Sequence, residues 1–197
     1  MLDRRTLLVA LRRRCPNGII VAQLGDTSNE LYEVAESDRN LYLIGAMGMV
    51  IPVALGIALS TELPVIAVEG DGGCLMNLGT LTTTARYGPP NLSVLILDNE
   101  QYGSTGGQAS ATGTGANLAA IAAGCGIKSR VFKSPKSTHT LVSWLLQPGT
   151  RLAVAKTGDC GNNGVSGSTR RAVSLAGRSP IWPRHLRLCR VTRPLKI

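Results

Sequence analysis

Four short apolar runs in this chain each end in a cluster of glycine and small polar residues. Residues 19–24 run into Gly25-Asp26-Thr27-Ser28-Asn29-Glu30, and residues 40–44 into Gly45-Ala46-Met47-Gly48. Residues 65–68 run into Glu69-Gly70-Asp71-Gly72-Gly73, and residues 92–97 into Asp98-Asn99. Runs that are apolar almost throughout suit strands whose sheet is covered on both faces. Helical patterns lie between them, at 3–14, about 28–37, 48–60 and 73–87. Beyond a Gly/Ser/Thr-rich loop at 101–115 come a helix at 117–123, a strand at 129–132, a helix at 137–146 and a strand at 152–155. This alternation predicts an α/β fold, a three-layer doubly wound parallel sheet. Ligands in such sheets bind beyond the carboxyl ends of the strands, so the four polar clusters predict one shared rim.

The 197 residues, 44% of them hydrophobic, suit one domain with a substantial core. Charge divides the chain. Residues 1–150 hold 11 basic and 11 acidic side chains, whereas 151–197 hold 10 basic residues and a single acid, Asp159. The division predicts a balanced domain over 1–157 and a basic, Arg/Ser/Pro-containing tail over 158–197. The tail is expected to be an aberrant C-terminus, with a disordered extension or a nucleic-acid-binding extension as the competing readings. Aromatic residues make up 4%, which argues against a stacking platform for nucleic acid. No apolar run reaches the roughly 20 residues that span a bilayer, and the short run at 7–11 does not fit a signal peptide. Five cysteines without C-x-x-C spacing read as reduced thiols, and a cytoplasmic location is expected.

Gly70-Asp71-Gly72-Gly73 allows close approach of backbone to a phosphate, although the same glycines also suit a plain βα turn. The dinucleotide pattern G-x-G-x-x-G fails at Leu75, and a bare pyrophosphate would be repelled by Asp71. A divalent cation between carboxylate and phosphate removes that repulsion. Magnesium takes hard oxygens, commonly one or two protein carboxylates with phosphate and water. A second ligand belongs on the next strand end, where Asn99 stands, and the Gln101 backbone carbonyl is placed to complete the set. Alone, Asn99 reads equally as a turn residue.

Gly70-Asp71-Gly72, 26 intervening residues and Asn99 resemble the metal–diphosphate motif of thiamin-diphosphate enzymes. Gly45-Ala46-Met47-Gly48 resembles the segment that meets the cofactor's aminopyrimidine ring in that family. The likeness covers about residues 1–155. It is strongest to the branch acting on sulfopyruvate and phosphonopyruvate, through residues 41–48, 71–79 and the stretch Ser104-Thr105-Gly106-Gly107-Gln108. The resemblance implies thiamin diphosphate and Mg²⁺ as cofactors, with Asp71, Asn99 and Gln101 as metal ligands. It implies that Thr27 and Ser28 hold diphosphate oxygens, that Gly70, Gly72, Gly73, Tyr102 and Gly103 border the cofactor, and that Ser104, Thr105 and Gln108 form a substrate loop. Gly45 would accept a hydrogen bond from the 4′-amino group, and Met47 would wedge the cofactor into its bent shape.

The implied activity is non-oxidative decarboxylation of an anionic 3-substituted pyruvate, with sulfopyruvate ahead of phosphonopyruvate. Half of an acetolactate-synthase-like enzyme, or a non-catalytic remnant, are the alternatives. In the family, the glutamate that activates the pyrimidine belongs to a separate pyrimidine-binding domain, and no glutamate of this chain matches it. The resemblance therefore implies a hetero-oligomer with a pyrimidine-binding α subunit.

Overall fold

The computed structural model describes residues 1–158, so the basic tail expected from 158 onward lies almost wholly outside the described residues. Eight strands and seven α-helices follow one another along the described chain. The first half runs α1 (Arg4–Arg14), β1 (Ile19–Ala22), α2 (Asp26–Ala35), β2 (Asn40–Tyr42), α3 (Val50–Ser60), β3 (Val65–Gly70) and α4 (Asp71–Met76). Then come α5 (Gly79–Tyr87), β4 (Leu92–Asp98), β5 (Gln101–Tyr102), β6 (Gln108–Ala109), α6 (Leu118–Gly124), β7 (Lys128–Phe132), α7 (Thr138–Leu145) and β8 (Arg151–Lys156).

Six strands form one parallel sheet in the order β2-β1-β3-β4-β8-β7. Side chains alternate across it. Ile20, Ala22, Ile66, Val68, Leu95 and Leu97 face a core shared with α1, α2 and α7. Ile19, Val21, Val65, Ala67, Val94 and Ile96 face a second core shared with α3, α5 and α6. Because both faces are buried, apolar residues are needed at every strand position, which is why the runs lack polar alternation. This is the three-layer doubly wound fold expected from the sequence.

Local chemistry sets the element ends. Asp3 caps α1 by accepting from the Thr6 N–H at 2.7 Å, and Arg12, Arg13 and Arg14 occupy its last turn, where a cation complements the helix dipole. The second helix starts at Asp26, two residues before the expected position. Gly25, with φ +80°, supplies the sharp entry as its N-cap, so Thr27 and Ser28 lie within the first turn. The helix expected over 73–87 is broken after Met76, where the Asn77 side chain turns away to donate to the Gly48 carbonyl at 3.0 Å. Residues 101–115, expected to be irregular, contain the two-residue hairpin β5–β6 and two short 3₁₀ turns.

Candidate functional site

From β1 the chain reaches β2 on one side and β3 on the other, so the crevice of this sheet opens beyond the carboxyl ends of β1 and β3. An open cleft lies there. All of the residues singled out from the sequence line it except Ser28, Gly45 and Gln108. Ser28 is buried, and its hydroxyl donates to the Gln23 carbonyl at 2.5 Å. Gly45 is exposed, at φ +73° in the turn after β2. Gln108 sits in the exposed hairpin and donates to the Thr105 carbonyl at 3.3 Å.

Strand β3 passes directly into α4, so Asp71 stands at the very end of a fully buried strand with only 2% of its surface exposed. Burial raises its carboxyl above the ordinary range; the Ser110 hydrogen bond lowers it, neighbouring Asp98 raises it, and Thr112 lowers it. The Ser110 hydroxyl donates to Asp71 Oδ2. Thr112 Oγ1 lies 3.1 Å from that same oxygen and 2.8 Å from Asp98 Oδ1. Asp98 in turn is fixed by Lys156 at 2.8 Å, from the adjacent strand, and by the Glu100 N–H at 3.1 Å. Burial pulls the Lys156 ammonium down, but its bonds to Asp98 and Glu100 outweigh this and raise it.

The chain turns sharply after Asn99 through Glu100, whose φ of 64° is unusual for a residue other than glycine. The turn points the Gln101 carbonyl back at the end of β4. One end of the Asn99 side-chain amide consequently lies 2.9 Å from Gln101 O and 3.1 Å from Asp71 Oδ1, where its NH2 group donates to both. With the amide turned the other way its oxygen would join those two, and three acceptors directed at one point need a cation among them. Adjacent oxygens of a magnesium octahedron with bonds of about 2.1 Å are separated by about 3 Å. The spacing of Asp71, Asn99 and Gln101 therefore fits a hard divalent cation with one carboxylate, one amide and one carbonyl from protein.

Two features shape the floor of the cleft. The Tyr102 ring lies so close to Gly72 that a β-carbon there would meet Cε1 at 2.5 Å, so only glycine admits the ring. Beneath the loop, Glu69 is fully buried, and burial pushes its carboxyl up to about 7 against the lowering effect of the Gly70 and Val50 N–H groups. The Gly70 N–H also donates to Gln23 Oε1 at 2.8 Å. Met47 overhangs the opposite side, its methyl 3.4 Å from the same β-carbon position on Gly72.

Arg4, Gln23, Asp98, Ser110, Thr112 and Lys156 were not singled out from the sequence. Asp98 had a signal, as the neighbour of Asn99 at a strand end. Ser110 and Thr112 stand in a loop where serine and threonine are common, and Arg4 and Lys156 arrive from distant segments.

Residues 21–154 match the family profile described as "Thiamine pyrophosphate enzyme, C-terminal TPP binding domain". The chain belongs to this family of thiamin-diphosphate enzymes. Sulfopyruvate decarboxylase subunit beta of Methanocaldococcus jannaschii is 48% identical over 116 residues, which cover 59% of this chain and 62% of that protein. The subunit of the same description from Methanococcus maripaludis is 35% identical over 156 residues, 79% of this chain and 84% of that one. Phosphonopyruvate decarboxylase of Streptomyces hygroscopicus is 46% identical over 114 residues, 58% of this chain but 28% of the relative. The chain thus spans under two thirds of the Methanocaldococcus relative and under a third of the Streptomyces one. Among solved structures, the thiamine diphosphate-dependent 4-hydroxybenzoylformate decarboxylase of Rhodococcus jostii superposes with a TM-score of 0.69 at 22% identity, covering 80% of this chain and 33% of that one. That likeness bears on the fold. No helix among the described residues is long and apolar enough to cross a membrane.

Proposed function

We propose that this chain is the diphosphate-binding subunit of a thiamin-diphosphate-dependent decarboxylase acting on an anionic 3-substituted pyruvate, with sulfopyruvate first and phosphonopyruvate second. The observation that carries the reading is the convergence of Asp71 Oδ1, the Asn99 side-chain amide and Gln101 O on one point. Magnesium held there would bind the cofactor's diphosphate. Thiamin diphosphate supplies the electron sink that a 2-oxoacid needs to release carbon dioxide. The chain's own residues hold and orient it. Thr27 borders the cleft beside Gln23, and Ser28 braces the turn from behind. Gly72, with Gly70 and Gly73, keeps the floor low enough for a phosphate, and Tyr102 and Gly103 form its wall. The Gly45 carbonyl would accept from the 4′-amino group, and Met47 would hold the two rings apart. Ser104, Thr105 and Gln108 would meet the substrate.

The glutamate that activates the pyrimidine would come from a pyrimidine-binding α subunit. That the Methanocaldococcus and Methanococcus relatives are each described as a subunit beta supports this division. We place the enzyme in the cytoplasm, which agrees with Cys15, Cys74 and Cys125 being free thiols. Co-expression with an α subunit, followed by measurement of carbon dioxide release from sulfopyruvate and phosphonopyruvate, tests the proposal. Release from neither substrate by a complex that binds the cofactor would overturn the assignment.

A further inference from the structure

The cleft carries a charge that neither the motif nor the mechanism uses. Among the described residues that line it there is one cation, Arg4, beside two carboxylates, Asp26 and Asp71. Arg4 comes from the first turn of α1, far in sequence from the residues of the metal motif and outside the stretch matching the family profile. Its side chain is 11% exposed and is pinned on α2 by two contacts, Nε to Glu30 at 2.9 Å and an Nη to the Thr27 hydroxyl at 2.9 Å. A guanidinium has a planar fork of donors suited to phosphate oxygens, and one already fixed by neighbours loses little freedom on binding.

We infer that Arg4 binds the outer phosphate of the cofactor, at the Thr27 end of the cleft and opposite the metal; this rests on the cofactor reading given above. Glu30 balances the charge of Arg4, so what the guanidinium offers the anion is its planar set of donors. Glu30 keeps the guanidinium in plane without occupying the cleft, since Glu30 itself is not among the lining residues. Thr27 is then oriented by Arg4 and presented to the same anion. Arg4 thereby makes the site selective for a diphosphate over a monophosphate.

The test is calorimetric titration of the chain assembled with a pyrimidine-binding subunit, with magnesium, by thiamin diphosphate and by thiamin monophosphate. Arg4→Gln lowers affinity for the diphosphate about 10- to 100-fold, the cost of a lost charge-assisted contact, and changes affinity for the monophosphate less than about threefold. A role confined to bracing α2 would weaken both ligands alike. An unchanged ratio of the two affinities in Arg4→Gln overturns the inference. Should that variant not fold, Arg4→Lys decides: a ratio reduced severalfold, from loss of the fork, supports it and an unchanged ratio overturns it. A parent protein without preference for the diphosphate overturns the cofactor reading as well, whereas preference retained in the variants overturns Arg4 alone.

Discussion

The Asn99 side-chain amide faces Asp71 Oδ1 across the ends of two parallel strands at 3.1 Å. Left without a cation, the amide nitrogen donates to Asp71 and to the Gln101 carbonyl. With a cation bound, the oxygen-inward arrangement is the stable one. Replacing Asp71 by Ala therefore abolishes magnesium-dependent binding of thiamin diphosphate, and removing the metal with a chelator does the same. Asn99→Ala removes a neutral ligand and costs less, about tenfold, or roughly 1.4 kcal/mol. Calorimetry showing unchanged affinity in a folded Asp71→Ala protein would defeat the metal assignment.

Thr112 links the two buried carboxylates of the site. Two hydroxyl protons, from Ser110 and Thr112, serve four oxygen–oxygen contacts around Asp71 and Asp98. Burial raises the Asp71 carboxyl, and a proton retained on the acid would fill one gap in this set of donors. Metal must displace that proton, so magnesium affinity rises with pH through a window extending above the usual carboxylate range. Thr112→Val removes a donor to the ionised form and raises the Asp71 carboxyl further. Magnesium titrations of this variant are weaker than the parent's by severalfold at the acid end of that window and converge on it as pH rises. Equal deficits across the window would mean that Thr112 only fills space.

Glu69 predicts the pH dependence of stability in the chelator-treated protein. Its carboxyl is raised from an ordinary 4.5 to about 7 by burial, and its Oε2 has no partner among the described residues. The folded state holds this proton more tightly than the unfolded chain does. Its contribution is thus complete below about pH 4.5 and is lost as pH rises through 7, with a ceiling of about 3 kcal/mol. Glu69→Gln keeps an accepting oxygen and cannot ionise. Denaturant melts across pH 5–8 should fall less steeply for the variant, which becomes the more stable protein at pH 8. Parallel curves for the two proteins would show that Glu69 does not titrate in this range.

The sheet was legible in the sequence because two covered faces demand apolar strands, and each strand ended in residues that could not continue it. Legibility failed where a polar residue served the interior. Glu69 looked like the start of a loop, yet β3 continues through it to Gly70 because its carboxyl is accommodated below the cleft. The break after Met76 was hidden for the same reason: Asn77 gives up its helical role to hold Gly48. Within the site, the residues legible in advance were those on strand ends, Asp71 and Asn99 among them. The groups that orient them, Ser110, Thr112 and Lys156, are brought in by loop closure and strand pairing that no local spacing records.

Met47 is 38% exposed, more than a core methionine needs, and it reaches over Gly72 at the mouth of the cleft. Truncation to Ala leaves the metal ligands untouched and removes the side chain that would separate the two rings. Turnover by the assembled enzyme should fall by about an order of magnitude while cofactor affinity changes less than about threefold, the pattern of lost positioning rather than lost binding. Stopped-flow and titration measurements on the same preparation separate the two quantities. Full turnover with normal affinity would make Met47 packing alone.

Partner dependence is the prediction on which the functional reading stands most directly. The cleft has a floor in Gly72, a metal end in Asp71 and Asn99, and one overhang in Met47, but it is open on the side where a pyrimidine ring would lie. Ile44, Met47, Met49 and Met76 are exposed apolar residues, and Met47 lines the cleft. No carboxylate of the described residues lines the cleft beyond Asp26 and Asp71, and both belong to its diphosphate end. The chain alone should bind thiamin diphosphate weakly and release no carbon dioxide from sulfopyruvate or phosphonopyruvate. Adding a pyrimidine-binding subunit should restore both properties, and the cofactor should raise the melting temperature of the complex by binding the assembled form more tightly than the separate subunits. The gain should depend on cofactor concentration and vanish on chelation of magnesium. Robust decarboxylation by the purified chain without a second subunit would show that the site is complete as it stands.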